Sequence, residues 1–252
     1  MSTGQQALVW QRSDFRESSR LVTLITRAQG KVTTLAKGAH RQDSPFLGRI
    51  DFLNLIEARL SRGNLPVLHR VKLLHEHRGL REPRRYLCAS YLCELFDPAF
   101  PHGRADPQLF DLLTGGLRLL ERCPSAVIPQ VVLGVELRLL QDLGSRPSLG
   151  ACAQCGAQGA LYPAHHQPAL LCSRHRAGPS TAVPRAALVW LEHAAHCAGR
   201  DLPDLPPAPA AARRLLGRFV TLALEQRPRL RQRALAATKP SAAACPTGAR
   251  SL

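Results

Sequence analysis

Several residue classes and sequence patterns are scarce or missing in this chain of 252 residues. Aromatic residues make up 5% of it, which argues against a broad surface for stacking on nucleic-acid bases. No stretch has about 18 consecutive apolar residues, and the opening lacks a basic segment followed by an apolar one. We therefore expect neither a membrane span nor a secretory signal. Phosphate-loop, dinucleotide-binding, zinc-protease and nucleophile-elbow motifs are missing too, so we predict that the protein is not an enzyme.

Acidic residues are also few: 18 Asp and Glu stand against 34 Lys and Arg, which gives a net charge of +16. Residues 1–80 carry 13 basic and 6 acidic side chains, 81–150 carry 8 of each, and 213–239 carry 8 basic and 1 acidic. A genome that favours arginine would raise the charge everywhere and leave no neutral middle. The two basic blocks favour an anionic polymer as partner. A basic membrane surface is the main competitor, but no strongly apolar amphipathic face accompanies the charge.

The first 80 residues read as five short strands: ALVWQRSD, RLVTLIT, KVTTLAKG, FLNLIEARL and LPVLHRVKLLH. The loops RAQG and Ser61–Asn64 have hairpin length and contain glycine. Five strands with tight turns predict a small closed or partly closed barrel, for which the OB-fold is the commonest solution and an SH3-like barrel remains open.

From Arg84 onward the apolar residues recur at helical spacing. Asp106 and Pro107 suit the start of a helix, and Gly144 suits the end of the next one. Between residues 201 and 210 lies a proline-rich connector. We therefore predict an α+β protein: a five-stranded β-barrel, then an α-helical domain interrupted by a cysteine- and histidine-containing loop.

That loop carries two metal-ligand pairs, Cys152 and Cys155 spaced C-x2-C and Cys172 and His175 spaced C-x2-H. Three cysteines and one histidine suit one tetrahedral Zn2+, and four protein ligands leave no open position, so the spacing predicts a structural zinc. His165 or His166 could replace His175 as the ligand. No acidic residue occurs between residues 143 and 190, so a deaminase would lack its catalytic glutamate. The eight cysteines of a chain without an export signal indicate reduced thiols and a cytoplasmic location.

Cations cluster around the first predicted hairpins and in the run RPRLRQR near the end of the chain. Such cations can track a nucleic-acid backbone with little dependence on base sequence. The candidate DNA-binding residues are Arg16, Arg20, Lys31, Lys37, His40, Arg41, Arg227, Arg229, Arg231 and Arg233.

Several elements together resemble the RecO family of recombination mediators. They are E-S-x-R-L-V-T-L-x-T at residues 17–26, Gly-Lys at 30–31, A-K-G-A-H-R at 36–41, LGSRPSLGACAQCG before the zinc loop, and the closing LLGRFVTLALEQRPRLRQRAL. The resemblance spans roughly residues 5–238 in the same order. Many family members end the second ligand pair with cysteine, where this chain has His175.

The resemblance implies an OB-fold, a helical domain with a zinc finger, and a role in DNA repair and homologous recombination within the RecFOR pathway. It implies binding of single- and double-stranded DNA, annealing of complementary strands, and help in loading RecA onto DNA coated by single-strand binding protein. It also implies RecR and the acidic C-terminal tail of single-strand binding protein as partners, with a nucleoid-associated location. An RNA-binding OB module with a structural zinc is the alternative, and a metal-assisted nuclease is a third class without the clustered carboxylates it needs.

These patterns divide the chain as follows. We predict the OB-fold over residues 1–79, the helical domain over 80–147 and 179–238, the zinc finger insertion over 148–178, and a flexible tail over 239–252.

Overall fold

The computed structural model describes residues 4–236, which begin with a five-stranded antiparallel sheet. Its strands are β1 Gln5–Phe15, β2 Ser19–Thr26, β3 Gly30–Ala36, β4 Leu55–Leu60 and β5 Leu68–His75. The order across the sheet is β3-β2-β1-β4-β5, and each neighbouring pair of strands runs antiparallel. The five strands that sequence periodicity predicts, followed by a helical region, are therefore confirmed.

The sheet curls but does not form a closed barrel, so of the two predicted forms the partly closed one is observed. Its edge strands β3 and β5 approach each other at a parallel bridge between Leu35 and Val67. There the Leu35 N–H donates to the Pro66 carbonyl over 2.9 Å. Val67 precedes the first residue of β5, so the contact comes from the loop and does not continue as a ladder. The strand order and this partial closure match a partly open OB barrel.

Both faces of β1 are buried between Ala7 and Trp10, which explains this run of consecutive apolar residues. Ala7 and Val9 face the small core inside the curled sheet. Leu8 and Trp10 face the helices and join the larger core there. The Trp10 indole N–H donates to the Asp97 carboxylate over 2.7 Å, so this aromatic ring is held in the structure and is not offered to bases.

The helices are α1 Pro83–Phe96, α2 Pro107–Arg122, α3 Ile128–Asp142, α4 Arg185–His196, α5 Ala210–Ala223 and the short α6 Arg231–Ala234. Asp106 caps α2, because its carboxylate accepts from the Leu109 N–H over 2.9 Å and Pro107 occupies the first turn. Helix α3 lies at the centre of this region, with eleven of its residues buried. Among residues 4–236 no helix combines the length and apolarity needed to cross a bilayer.

Glu121 of α2 joins the helical region to the end of β5. Its carboxylate lies 2.7 Å from His75 Nε2 and 2.8 Å from His77 Nδ1, and it accepts from the Gly79 N–H over 3.0 Å. Burial opposes ionisation of Glu121, but the two imidazoles and the amide outweigh it and lower the pKa of the carboxyl. Burial lowers the pKa of His77. This cluster is a hydrogen-bonded junction between the two regions.

The domain boundaries remain predictions. The last two residues of the predicted helical domain and the whole predicted tail, 239–252, lie outside the described residues.

Candidate metal centre and nucleic-acid interface

The four predicted metal ligands converge on one point at the loop between α3 and α4. The ligand atoms of Cys152, Cys155, Cys172 and His175 all lie within 4.8 Å of one another, and together they could hold a metal ion. The Cys155 and Cys172 sulfurs are 3.8 Å apart. His175 presents Nδ1, which lies 3.6 Å from the Cys152 sulfur and 3.4 Å from that of Cys172.

These separations match the edges of a coordination tetrahedron. Metal bonds of about 2.3 Å to sulfur and about 2.0–2.1 Å to nitrogen place sulfurs about 3.8 Å apart and sulfur and nitrogen about 3.6 Å apart. The three distances given above fall within about 0.2 Å of those values. The donor set and its geometry therefore fit a closed four-coordinate site.

Two tight turns and a small hairpin hold the ligands. After the first pair, the Gly156 N–H donates to the Cys152 carbonyl over 2.9 Å, and Gly156 has φ +69°, a conformation that favours glycine. After the second pair, the Arg176 N–H donates to the Cys172 carbonyl over 3.0 Å. Strands β6 Tyr162–Pro163 and β7 Leu170–Leu171 pair antiparallel between them.

The environment of Cys152 favours its thiolate form. Burial raises the pKa of this thiol, but hydrogen bonds from the backbone N–H groups of Cys172 and Cys155 reach the sulfur and outweigh it. The net effect lowers the pKa to about 5. A thiolate is the form that ligates a metal.

His165 and His166 lie apart from this cluster. They are at the tip of the β6–β7 hairpin, and His165 lines a groove against α5 instead. The structure thus brings together the four residues that the spacing favours.

The predicted DNA-binding cations of the N-terminal sheet fall into two groups: those that form ion pairs within the protein and those that do not. Arg20 Nε lies 3.0 Å from an Asp14 carboxylate oxygen, and His40 Nε2 lies 3.0 Å from the same oxygen. The Lys31 ammonium, only 13% exposed, contacts Asp97 over 2.7 Å and so links the sheet to the helices. The remaining candidates are exposed, and no ion pair holds them within residues 4–236: Arg16, Lys37 and Arg41.

Arg231 faces inward, unlike its neighbours in the C-terminal run. Its guanidinium forms a two-pronged ion pair with the fully buried Glu136, with distances of 2.9 and 2.8 Å, and Glu136 also accepts from the Tyr91 hydroxyl. A Cβ on Gly217 would lie 2.3 Å from Arg231 Nη1, so this helical glycine gives the arginine its path. Arg231 is therefore a structural residue. Its exposed neighbours are Arg227, Arg229 and Arg233.

A basic groove of about 850 Å³, which we call the C-terminal groove, lies between α5 and the run that follows it. Arg213, Arg214 and Arg218 of α5 line it with Arg227 and Arg229. The side chain of Arg218 donates to the Ala164 carbonyl over 2.7 Å. This hydrogen bond holds the metal-type loop against α5, where the loop forms one wall of the groove. Sequence reasoning named only the run after α5. The signal that it missed was the spacing of Arg214 and Arg218, four residues apart on one face of a helix.

A second concavity of about 450 Å³, the arginine-rimmed notch, lies between α2 and α3. Apolar groups including Leu112, Leu119 and Val135 line it, and the exposed Arg118, Arg122 and Arg200 place cations at its rim. Arg138 also lines it, but its guanidinium donates to the Gly134 and Cys197 carbonyls. Its one carboxylate, Asp111, already pairs with Arg27 over 2.9 Å. The notch is therefore apolar at its base and cationic at its rim.

The fold and site define a class of protein in which an OB-type sheet precedes a helical region that carries a Cys3His metal-type loop. The family model described as "Recombination protein O N terminal" matches residues 1–77, and "Recombination protein O C terminal" matches residues 80–234. The chain belongs to the RecO family.

Curated relatives agree with this assignment. Two proteins named DNA repair protein RecO are each 32% identical to the chain. The one from Anaeromyxobacter sp. (strain K) matches over 223 residues, 82% of this chain and 85% of the relative. The one from Heliobacterium modesticaldum matches over 234 residues, 82% of this chain and 79% of the relative. A third protein of that name, from Symbiobacterium thermophilum, is 34% identical over 58% of each chain.

Proposed function

We propose that this protein is a DNA repair and recombination mediator that binds single- and double-stranded DNA and anneals complementary strands. The proposal is carried by the match of both family models, which together span residues 1–77 and 80–234. The relatives' printed name, DNA repair protein, supports the repair role. RecR, RecA and single-strand binding protein enter the proposal as the family's partners.

Two separate sets of available cations suggest how annealing proceeds. One set, Arg16, Lys37 and Arg41, lies at the sheet, and the other lines the C-terminal groove. Each set screens the phosphates of one strand, which lowers the repulsion between two polyanions as they pair. The protein makes and breaks no covalent bond in this process.

Zinc is the metal that the Cys3His set suits best, and we propose one structural ion. Cys152, Cys155, Cys172 and His175 hold it and leave no position for substrate. Its role is to fix the loop that forms one wall of the C-terminal groove through the contact between Arg218 and Ala164.

The arginine-rimmed notch suits the acidic tail of single-strand binding protein. A short peptide with apolar and acidic side chains places the former on Leu112 and Val135 and the latter beside Arg118 and Arg122. Docking there leaves the two cationic DNA surfaces free, so the protein can hold the coating protein and the strand at the same time.

The direct test is equilibrium binding of labelled single-stranded DNA, duplex DNA and structured RNA, followed by annealing of uncoated complementary strands. We expect DNA binding that weakens steeply with salt, and faster annealing without nucleotide. A clear preference for structured RNA, with no acceleration of annealing, would favour the RNA-binding alternative. Release of DNA fragments with added Mg2+ or Mn2+ would indicate a nuclease.

The notch is tested with a peptide of the tail sequence. Arg118→Glu combined with Arg122→Glu should reduce peptide affinity at least tenfold and leave DNA affinity less affected. The matched control is Arg78→Glu with Arg81→Glu, because these two arginines already pair with Glu76 over 2.8 and 2.7 Å. Equal peptide binding by both double variants would place the docking site elsewhere.

A further inference from the structure

Strands β4 and β5 expose an unusual set of cations on their outer side. Antiparallel register places Arg59 directly opposite Arg70, and Glu57 opposite Lys72. The residues between them, Ala58 and Val71, are buried. Together with Arg49 from the preceding loop, these charged residues line a concavity of about 530 Å³, which we call the hairpin face: Arg49, Glu57, Arg59, Arg70 and Lys72.

The opposition of Arg59 and Arg70 is unfavourable for the protein alone. Directly opposed residues on neighbouring antiparallel strands have Cβ atoms about 4.5–5.5 Å apart, and like charges there destabilise the sheet. Arg49 adds a third positive charge, and its Nη1 lies 3.5 Å from the Val71 carbonyl. Within residues 4–236 neither Arg59 nor Arg70 has an ion-pair partner, and Glu57, opposite Lys72, is the one carboxylate lining the hairpin face.

The position of the hairpin face connects it to the other cations of the sheet. The contact between Leu35 and Pro66 brings the end of β3 beside the start of β5, and Lys37 follows directly on β3. Arg70 and Lys72 are two residues apart on β5, a separation of about 6.8 Å along the strand. Cations therefore continue from the loop after β3 along β5. Such an extended row suits a polyanion, which has many charges along its length, better than it suits a single small anion.

We propose that the hairpin face binds the phosphodiester backbone of a nucleic-acid strand, with Arg59 and Arg70 each neutralising one of its phosphates. This inference rests on the proposed function and adds a site on strands β4 and β5, where the curled sheet brings β5 beside β3. Bound phosphates relieve the repulsion between the two guanidinium groups, so ligand binding and stability of the hairpin are coupled.

The test is the variant Arg59→Gln with Arg70→Gln, assayed for thermal stability and for affinity to a labelled single strand at several salt concentrations. Removing the opposed charges should leave the melting temperature unchanged or higher. Affinity at low salt should fall about fivefold or more. The slope of log affinity against log salt should flatten by about 1.4, because each phosphate that an arginine no longer neutralises accounts for about 0.7.

The control is Arg78→Gln with Arg81→Gln, which removes the same charge from arginines already paired with Glu76 and should keep a salt slope close to that of the wild type. The inference is overturned if the two double variants bind DNA equally, or if Arg59→Gln with Arg70→Gln loses both melting temperature and affinity, which would make these arginines structural. Absence of binding by the wild type would instead overturn the proposed function.

Discussion

The two basic blocks carry the same formal charge but use it differently. Residues 1–80 and 213–239 each have a net charge of +7. In the first block, Asp14 and Asp97 engage three of the six predicted DNA-binding cations. In the second, Glu136 engages Arg231, and no ion pair within residues 4–236 engages the other three predicted cations. The net charge of the N-terminal block already subtracts Asp14, but it does not count Asp97 and Asp111, which lie outside the block and pair with Lys31 and Arg27. It therefore overstates the charge that this block can offer to a ligand.

The difference follows from where the acidic residues lie. The first block contains 6 of them, so Arg20 and His40 find Asp14 nearby, whereas Glu225 is the only one in residues 213–239. Glu136, which lies on α3 outside the second block, forms an ion pair with the inward-facing Arg231. The C-terminal groove therefore retains most of its charge for an anionic ligand.

The largest expected effect separates Arg231 from Arg229, which lie two positions apart. Arg231→Ala leaves Glu136 as an unpaired buried charge and should lower the free energy of unfolding by about 3–5 kcal/mol. Arg229→Ala should change it by less than about 0.5 kcal/mol, because its side chain is exposed. Chemical denaturation measures both variants. Equal stability of the two would show that the buried ion pair does not hold the groove.

Loss of the metal should affect the C-terminal region and spare the sheet. Cys152→Ser should release zinc, lower the melting temperature and weaken the groove's wall, with a smaller loss of DNA affinity than charge reversal causes. Metal content by mass spectrometry and thermal denaturation check this, with His166→Ala as the control that keeps one zinc. Complete loss of DNA binding by Cys152→Ser, with the fold and melting temperature intact, would contradict a structural role.

Charge reversal compares the two blocks directly. Arg213→Glu with Arg229→Glu should weaken DNA binding more than Lys37→Glu with Arg41→Glu, and both should flatten the salt dependence. A difference of about threefold or more in affinity is expected at low salt. A larger loss from the Lys37 and Arg41 pair would place the main DNA path at the sheet.

The smallest expected effect concerns pH and the junction at Glu121. Because burial lowers the pKa of His77, the unfolded chain takes up a proton below about pH 6.5 that the folded protein resists. The free energy of unfolding should therefore fall as the pH decreases through this range. His77→Gln should flatten this dependence in denaturation experiments at each pH. An unchanged slope in that variant would assign the effect to another group.

Local patterns predict much of the fold and the metal centre. Hairpin loops and strand periodicity identify the five strands, and the spacing of Cys152, Cys155, Cys172 and His175 identifies the ligands that the structure brings together. These features depend on residues close in sequence, whose geometry is set by turns.

Long-range pairing explains what sequence reasoning missed. Nothing local indicates that Lys31 meets Asp97, that Arg231 meets Glu136, or that Arg59 stands opposite Arg70. Those partners depend on how the sheet curls and how the helices pack, and they decide which cations are available. Sequence periodicity could not choose between a closed and a partly closed barrel for the same reason, because closure depends on the meeting of β3 and β5.

The most direct measurement is annealing of two complementary strands, each coated with single-strand binding protein, with and without this protein. Acceleration without nucleotide, which fades as salt rises and is reduced in the Arg213→Glu, Arg229→Glu variant, is the predicted result. No acceleration on coated or uncoated strands by folded, zinc-loaded protein would contradict the proposal that available cations on two surfaces bring DNA strands together.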